Sequence, residues 1–198
     1  MTLREGRVGL RPIRQRDGAA WADVRRANVS WLAPWEATAP RPTSGEVTFR
    51  AMVRHLRREA REGRMLPFVV TYDNRLVGQL TLGGITWGSL CSAHIGYWVD
   101  ARLAGRGIIP TAVALASDHA LFTVGLHRVE INIRPENVAS LRVVEKLGFR
   151  DEGVRRAYLH IDGAWRDHRT FALTAEELPE GLVARWRRTR RILGDVEV

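Results

Sequence analysis

The chain has 198 residues, of which 45% are hydrophobic and 27% are charged, and its formal net charge is +9. This length suits one folded domain, so we expect a single domain over residues 1–198. We find neither an apolar run near the roughly 20 residues of a membrane-spanning helix nor the apolar core of a secretory signal, and therefore expect a cytoplasmic protein without membrane association. The single cysteine, Cys91, excludes an internal disulfide and a cysteine-based zinc site, and we expect no metal.

Arginine carries almost all of the positive charge, because Lys146 is the only lysine. Guanidinium groups bind phosphates and carboxylates through two parallel hydrogen bonds. We therefore expect an anionic partner: a phosphorylated cofactor, a nucleic acid or an acidic protein surface. A GC-rich genome also produces arginine in place of lysine, and the composition alone does not separate these explanations.

The N-terminal part predicts one strand, one helix and a long connection. Residues 8–13 are the expected first strand, and Asp17 is the expected cap of the helix that follows. One face of this helix carries Trp21, Val24 and Ala27 at helical spacing. The prolines of residues 33–42 then oppose regular structure.

A second amphipathic helix is predicted after this connection. Thr43 and Glu46 match a capping box, and Gly63 is expected to end the helix. Between these positions the apolar residues recur at helical spacing: Phe49, Met52, Val53, Leu56 and Ala60.

The middle of the chain predicts a sheet with one crossover helix. Residues 66–72, 76–82 and 93–99 are expected strands, the first two joined as a hairpin across Asp73 and Asn74. Small and apolar residues at 109–121 predict a helix, and the β-branched run at 127–133 predicts the next strand. A strand, a helix and a strand in this order indicate a parallel pair.

The C-terminal part predicts a helix, a hairpin and a basic helix. Residues 138–147 are expected to form a helix that ends at Gly148. Residues 154–161 and 169–173 are expected strands on either side of a turn at Asp162 and Gly163. Thr174 and Glu177 are expected to cap a last helix, about 175–192, which contains the basic stretch 185–191. The whole pattern predicts a mixed α/β class with one layer of sheet.

A glycine-rich turn precedes the crossover helix and is the most informative segment. Gly105 and Gly107 allow close approach to an anion at the helix start, where N–H groups and the helix dipole favour a phosphate. Arg102 and Arg106 add positive charge, and Pro110 is tolerated in the first turn. The pattern is neither a Walker phosphate loop nor a dinucleotide-binding motif, so nucleotide hydrolysis is disfavoured. The alternative is a tight connection without a ligand.

This turn matches the R-x-x-G-x-G element of the GNAT superfamily of N-acetyltransferases over residues 102–107. Four further elements follow in the order found in the RimJ/RimL-type branch: an Asn-x-x-Ser helix start, a Gly-Phe turn, a Glu-Gly dipeptide and a late Gly-x-x-x-Asp. They are Asn137 with Ser140, Gly148 with Phe149, Glu152 with Gly153, and Gly163 with Asp167. The chain therefore resembles this branch, most strongly over residues 95–167.

The resemblance implies an α/β fold with a mostly antiparallel central sheet, one splayed parallel strand pair and helices on both faces. It also implies acetyl-coenzyme A as cofactor and direct attack of an amine on the thioester. RimJ-type relatives acetylate the N-terminal alanine of a ribosomal protein, so a peptide or ribosomal-protein N-terminus is the expected acceptor. Association with the ribosome and a monomeric or homodimeric state are further expectations.

The resemblance assigns the cofactor site residue by residue. The main chains of Tyr97, Trp98 and Val99 are expected to hold the pantetheine arm, and an N–H at Val99 to stabilise the oxyanion. The pyrophosphate is expected against Arg102, Leu103, Ala104, Gly105, Arg106, Gly107 and Ile108.

The helix after the second strand of the crossover supplies two more expected roles. Asn137 is expected to bond the pantetheine, and Ser140 to donate a hydrogen bond to the departing thiolate. Asn132 in the preceding strand is expected to face the cofactor. Helix capping alone is the alternative explanation for Asn137.

The general base stays open. In some relatives a glutamate in the strand after the Glu-Gly dipeptide is the base, but Leu159 occupies that position here. A protein α-amino group has a pKa of about 7.7–8.0, so a weak base or a water relay is sufficient. Trp31 and Trp35 are expected beside the acceptor. The remaining candidates for the base or the acceptor pocket are Glu130, His94, His160, Tyr158, Asp167 and His168.

Two other functions compete with this one. The first is an acetyltransferase for a small amine, which the net charge of +9 disfavours for a cationic substrate. The second is a ribosome-binding or RNA-binding module that uses the arginines of residues 185–191.

Overall fold

The computed structural model describes residues 1–41 and 47–194. Within them, eight strands form one sheet in the spatial order β1-β2-β3-β4-β5-β6-β8-β7. All neighbours are antiparallel except β5 and β6, which are parallel. The strands are β1 (Leu3–Glu5), β2 (Val8–Pro12), β3 (Leu66–Tyr72), β4 (Arg75–Thr86), β5 (Ser92–Val99), β6 (Arg128–Ile133), β7 (Arg150–Ile161) and β8 (Ala164–Thr174).

Helices cover both faces of the sheet, as expected. They are α1 (Gly18–Ala27), α2 (Val29–Leu32), α3 (Phe49–Arg61), α4 (Ile108–Asp118), α5 (Val138–Leu147) and α6 (Leu182–Leu193). Successive strand residues point to opposite faces, so Phe68 and Val70 join the large core under α4, α5 and α6, whereas Val69 joins a smaller core under α1 and α3. In the described part of the chain, no helix is both long and apolar enough to cross a membrane.

The hairpin between β3 and β4 forms where the sequence predicts it. Asp73 and Asn74 both have left-handed backbone angles, with φ of 49° and 63°. Two such residues make the turn that matches the twist of paired strands, and Asp and Asn tolerate this conformation well. The turn sets the pairing of Tyr72 with Arg75 and of Thr71 with Leu76, and a bulge after Val70 shifts the register for the rest of the two strands.

The parallel strands β5 and β6 diverge after three residue pairs, which confirms the expected splay. Their pairing ends at His94 and Glu130, whereas β5 stays paired with β4 as far as Gly78 and Val99. A Cβ at Gly78 would lie 2.2 Å from the carbonyl oxygen of Trp98, so only glycine fits there. The last residues of β5 are therefore held from one side and open on the other.

The N-terminal prediction needs three corrections. The expected first strand is the second, because the three-residue edge strand β1 is too short to show a pattern. The α1 helix begins where expected, but the Asp17 carboxylate accepts from the Arg14 N–H at 2.8 Å and pairs with Arg11 instead of capping α1. Residues 33–35 form a 3-10 turn despite Pro34, since proline is tolerated at the start of a helical turn.

Two further predictions concern the second helix and the first apolar face. The proposed capping box of Thr43 and Glu46 lies outside the described residues. Thr48 caps α3 instead, accepting from the Ala51 N–H at 3.2 Å. On α1, Ala27 is exposed, so the predicted apolar face is incomplete.

The last helix begins later than expected. Thr174 and Glu177 do form a capping box, but it closes only a 3-10 turn, and α6 begins at Leu182 instead of residue 175. The helical conformation is interrupted at Gly181, whose φ is 83°. The Asp118 carboxylate then accepts a hydrogen bond from the Leu182 N–H at 2.5 Å. Sequence alone does not reveal a cap supplied by a distant residue.

Candidate active site

A cleft of about 980 Å³ opens at the free end of β5. Its walls are the end of β5, the glycine turn with the first turn of α4, the N-terminal part of α5, and the segment 31–37. Ten of the thirteen residues predicted to bind the cofactor line it: Tyr97, Trp98, Val99, Leu103, Ala104, Gly105, Gly107, Ile108, Asn137 and Ser140. The fold thus brings two distant sequence segments to one site.

The glycine turn leaves the start of α4 open to an anion. Gly105 and Gly107 have φ of 82° and 77°, a conformation that residues with a Cβ rarely adopt. Gly107 is the N-cap of α4 and has no side chain with which to bind the first-turn N–H groups. Uncapped N–H groups at the positive end of a helix dipole form an anion-binding site.

A buried carboxylate shapes the turn from behind. Asp100 accepts hydrogen bonds from the backbone N–H of Arg102 at 3.1 Å and from its Nε at 3.0 Å. The Arg102 guanidinium holds the pKa of Asp100 below its usual value. The amide oxygen of Asn28 also accepts from the N–H of Ala101 at 2.8 Å, which fixes the chain as it leaves β5.

The side chains of Arg102 and Arg106 do not line the cleft. Arg102 points to solvent and is paired with Asp100, so its charge is largely neutralised. Two other cations line the cleft from α5, namely Arg142 and Lys146. The sequence analysis missed them, although their spacing of four residues places them on one helix face.

Asn137 and Ser140 form the start of α5. The Asn137 Oδ1 accepts from the Ser140 N–H at 3.1 Å, which confirms that Asn137 is a helix cap. The cap leaves the Ser140 hydroxyl in the cleft wall. Beside it lies the buried hydroxyl of Tyr97, which makes no well-formed hydrogen bond to any described residue. Burial raises the pKa of Tyr97 to about 12, while the neighbouring Ser140 opposes this rise.

Asn132 lies on β6 outside the cleft lining. Its register partner on β8 is Thr170, whose hydroxyl donates to the Asn132 Oδ1 at 2.8 Å. The predicted contact between Asn132 and the cofactor therefore gains no support from the cleft geometry.

The segment 31–37 forms a fixed aromatic wall opposite α5. Trp31 and Trp35, which were predicted to lie beside the acceptor, both line the cleft. Arg134 donates to the Pro34 carbonyl at 2.7 Å and its guanidinium lies 5.4 Å from the centre of the Trp35 ring. The N–H of Thr38 donates to the His160 carbonyl of β7 at 2.9 Å, so the segment is held at its middle and just after its C-terminal end.

Arg25 and Glu36 were missed by the sequence analysis and both line the cleft. They form a salt bridge, and the Arg25 guanidinium also lies 5.4 Å from the ring centre of Trp98. Glu36 lies in a proline-rich segment for which the sequence predicted no regular structure, and α1 carries no motif around Arg25. The only available signal was the proximity of Glu36 to Trp35.

The candidate bases from the sequence analysis lie elsewhere. Glu130 is paired with Arg128 and Arg155 at 2.8 and 3.0 Å. Among the described lining residues, the carboxylates of the cleft are Glu36 and Glu136. The other candidates for the base or the acceptor pocket also lie outside the lining: His94, Tyr158, His160, Asp167 and His168. Leu159, which replaces the glutamate of some relatives, lies outside it too.

The described residues contain no cluster of three or more side chains suited to hold a metal ion. The cleft instead combines an open strand edge, an uncapped helix start and cations on α5. These features fit a long ligand with a phosphate group near one end, as in an acyltransferase that uses a coenzyme A thioester.

Comparison with known proteins identifies the class. An acetyltransferase (GNAT) domain model matches residues 7–150. Probable N-acetyltransferase YjcK of Bacillus subtilis (strain 168) is 43% identical over 101 residues, which cover 51% of this chain and 56% of that protein. The ribosomal protein uS5-alanine N-acetyltransferase of Escherichia coli (strain K12) is 27% identical over 181 residues, covering 90% of this chain and 93% of that enzyme.

A solved structure is similar along the whole chain. Mycobacterium smegmatis RimJ in complex with CoA-disulfide has a TM-score of 0.90 and 44% identity, covering 100% of this chain and 96% of that one. The chain belongs to the GNAT acetyltransferase family. The expected fold, enzyme class and acetyl-coenzyme A cofactor are thereby confirmed.

Proposed function

We propose that this enzyme transfers an acetyl group from acetyl-coenzyme A to the α-amino group of a protein N-terminus, with a ribosomal-protein alanine as the first acceptor to test. One observation carries the proposal: the open end of β5 and Ser140 line one cleft together with a glycine turn, an uncapped helix start and an aromatic wall. The uS5-alanine acetyltransferase covering 90% of this chain supports the choice of acceptor.

The cofactor fits the features of the cleft along its length. The open edge of β5 offers the main-chain groups of Tyr97 and Val99 to the amides of the pantetheine arm, whereas those of Trp98 face β4, because antiparallel pairing alternates and the N–H of Asp100 donates to the Val77 carbonyl. The N–H groups of residues 105–108 suit the pyrophosphate, with Arg142 and Lys146 adding positive charge from α5. Those of Leu103 and Ala104 already donate to the carbonyls of Asp100 and Ala101. Bound acetyl-coenzyme A supplies the activated acetyl thioester.

The residues at the end of β5 and the start of α5 act on the charges of the reaction. A main-chain N–H at Val99 stabilises the oxyanion, an effect worth about 3 kcal/mol in other enzymes. The C–N bond forms as the C–S bond breaks, and the hydroxyl of Ser140 donates a hydrogen bond to the departing sulfur. Because a serine hydroxyl is less acidic than a thiol, Ser140 stabilises the thiolate and does not transfer its proton completely.

Glu36 is the proposed recipient of the proton that the acceptor amine loses. It lies in the cleft wall, and its salt bridge to Arg25 fixes the carboxylate in place. An N-terminal amine has a pKa of about 7.7–8.0, so a carboxylate acting directly or through one water is adequate. Trp31 and Trp35 provide apolar surface for the first side chain of the acceptor.

A cytoplasmic location and contact with the ribosome follow from this acceptor and belong to the same proposal. A monomeric or homodimeric state stays a prediction. The basic residues 185–191 receive no role in the chemistry, because they lie outside the cleft lining.

A panel of acceptors tests the function. The purified enzyme is incubated with acetyl-coenzyme A and one of four amines: a peptide that begins with alanine, the same peptide with a blocked N-terminus, one that begins with serine, or spermidine. We expect acetylation of the free alanine peptide and none of the blocked peptide, measured by mass spectrometry. Acetylation of the blocked peptide at lysine, or of spermidine alone, would assign another acceptor class.

A further inference from the structure

A second concavity, of about 1090 Å³, lies between α3 and the ends of β2 and β3. We name it the arginine groove. Arginines on its rim come from the loop after β2 and from one face of α3, and the described residues that line it include no acidic side chain. The arginines are Arg14, Arg54, Arg57, Arg58 and Arg61. A concave surface of one charge sign concentrates ligands of the opposite sign.

The α3 helix fixes four of these arginines in one stripe. Positions 54, 57, 58 and 61 recur at the spacing of one helix face and extend over about 10 Å at 1.5 Å per residue. The adjacent face carries Val53 and Leu56, which pack on the sheet in the smaller core. Burial of that face therefore holds the arginine stripe towards the groove.

Most of this charge is not neutralised within the described chain. The guanidinium groups of Arg54 and Arg57 form no ion pair or hydrogen bond with a described residue, and that of Arg61 contacts only a backbone carbonyl, at 3.3 Å. The nearby Glu59 carboxylate is turned towards Arg64, at 2.6 Å. Arg54, Arg57 and Arg61 thus form no ion pair with a described residue, whereas Arg58 lies 3.6 Å from the Glu59 carboxylate and Arg14 is close enough to Asp17 to lower its pKa.

The C-terminal helix α6 differs in this respect. Arg187 pairs with Glu5 and Arg188 with Glu180, and Arg185 donates to the Glu177 carbonyl at 2.5 Å. The arginines of α3 are therefore a stronger candidate for an anion-binding surface than residues 185–191.

We propose that the arginine groove binds the phosphate backbone of RNA and holds the enzyme on a ribonucleoprotein surface. A regular row of guanidinium groups complements a regular row of phosphates, which guanidinium groups bind bidentately. The selection of RNA over an acidic protein rests on the proposed function, since a ribosomal acceptor is surrounded by RNA. The anionic character of the ligand rests on the groove alone.

The α1 helix lies between the arginine groove and the active-site cleft and contacts the elements that form both. Trp21 of α1 packs on Phe49 of α3 with ring centres 5.4 Å apart, and Arg25, one turn later on α1, lines the cleft. The lining residues of the groove and of the cleft do not overlap. RNA in the groove therefore leaves the cleft open for an acceptor N-terminus.

A salt titration tests this proposal with two variants of equal charge. Fluorescence anisotropy measures binding of labelled single-stranded polyuridine between about 50 and 200 mM salt, a range over which phosphate contacts dominate affinity. The logarithm of the association constant decreases linearly with the logarithm of the salt concentration, by about 0.7 for each phosphate contact on a single strand. In Arg54→Gln/Arg57→Gln we therefore expect this slope to become less steep by roughly 1.4. Arg187→Gln/Arg188→Gln, which removes the same charge, is expected to keep the wild-type slope.

Three results would overturn the proposal. Equal losses of slope in both variants would mean that only total charge matters. The other two are no binding of polyuridine by the wild-type protein, and tighter binding of polyglutamate than of polyuridine, which would indicate an acidic protein partner. Both variants are expected to acetylate a free peptide at the wild-type rate. Failure of the proposed acetyl transfer would appear in that assay and leave the RNA result readable.

Discussion

The amide oxygen of Asn137 accepts the backbone N–H of Ser140 at 3.1 Å, so the proposed pantetheine ligand is also the cap of the helix that presents Ser140. Stability and function are therefore combined in one side chain. Their separation requires a replacement that keeps the cap but changes the group that faces the cleft.

Asn137→Ala removes both roles, whereas Asn137→Asp keeps the capping oxygen and loses the amide N–H donor. We expect Asn137→Ala to lower the free energy of unfolding by about 1 kcal/mol, a typical cost of a lost cap, and Asn137→Asp to stay near the wild type. Both variants are expected to bind acetyl-coenzyme A more weakly. Urea unfolding and calorimetry measure the two effects, and wild-type affinity in Asn137→Asp would leave Asn137 with the capping role alone.

Ser140→Ala is expected to leave cofactor binding nearly unchanged and to lower kcat roughly 10-fold to 100-fold, because a hydrogen bond to a charged group is worth about 1.5–3 kcal/mol. Steady-state kinetics with an alanine peptide measure the loss. Tyr97→Phe removes the neighbouring buried hydroxyl, is expected to preserve stability, and shows in the same assay whether that hydroxyl acts with Ser140. An unchanged kcat in Ser140→Ala would reduce Ser140 to a structural residue.

Gly105→Glu is expected to abolish binding of acetyl-coenzyme A by placing negative charge at the phosphate site. A Cβ at Gly105 has no atom within 4 Å, but its φ of 82° strains any other residue. Such strain costs of order 1–3 kcal/mol, so Gly105→Ala controls for it. Calorimetric titration should give weak or no binding for Gly105→Glu and clear binding for Gly105→Ala. Equal affinities in the two variants would show that this turn does not bind the phosphate.

Asp100 provides a prediction for pH dependence. Its pKa is lowered from 3.8 by the Arg102 guanidinium, so the folded protein binds fewer protons than the unfolded chain as the pH falls. The contribution of Asp100 to stability is therefore present above about pH 4 and is lost as the pH drops through the lowered pKa. Asp100→Asn should be less stable than the wild type at neutral pH, with the difference shrinking in acid. A difference in unfolding free energy that stays constant from pH 7 to pH 3 would contradict this.

Local chemistry explains which parts of the molecule were predictable. The β3–β4 turn needs Asp73 and Asn74, and α5 needs Asn137 and Gly148, so each signal lies within its own element. The start of α6 depends on Asp118, 64 residues earlier, and no local pattern reports a distant cap.

The candidate site divides in the same way. Glycines and a helix start mark the proposed phosphate end of the cleft in the sequence itself. Glu36 and Arg25 become neighbours only when α1 and the segment 31–37 fold around the end of β5. Such contacts between separate segments set the acceptor side, where the sequence analysis missed the most.

The central claim is that the cleft at the free end of β5 holds acetyl-coenzyme A along its whole length. Calorimetric titration of the wild-type protein with acetyl-coenzyme A, compared with adenosine diphosphate, tests it most directly. We expect one cofactor per chain with micromolar affinity, and much weaker binding of adenosine diphosphate, because only the full cofactor reaches the open edge of β5 and α5. Equal affinity for both ligands, or no binding of either, would contradict the account.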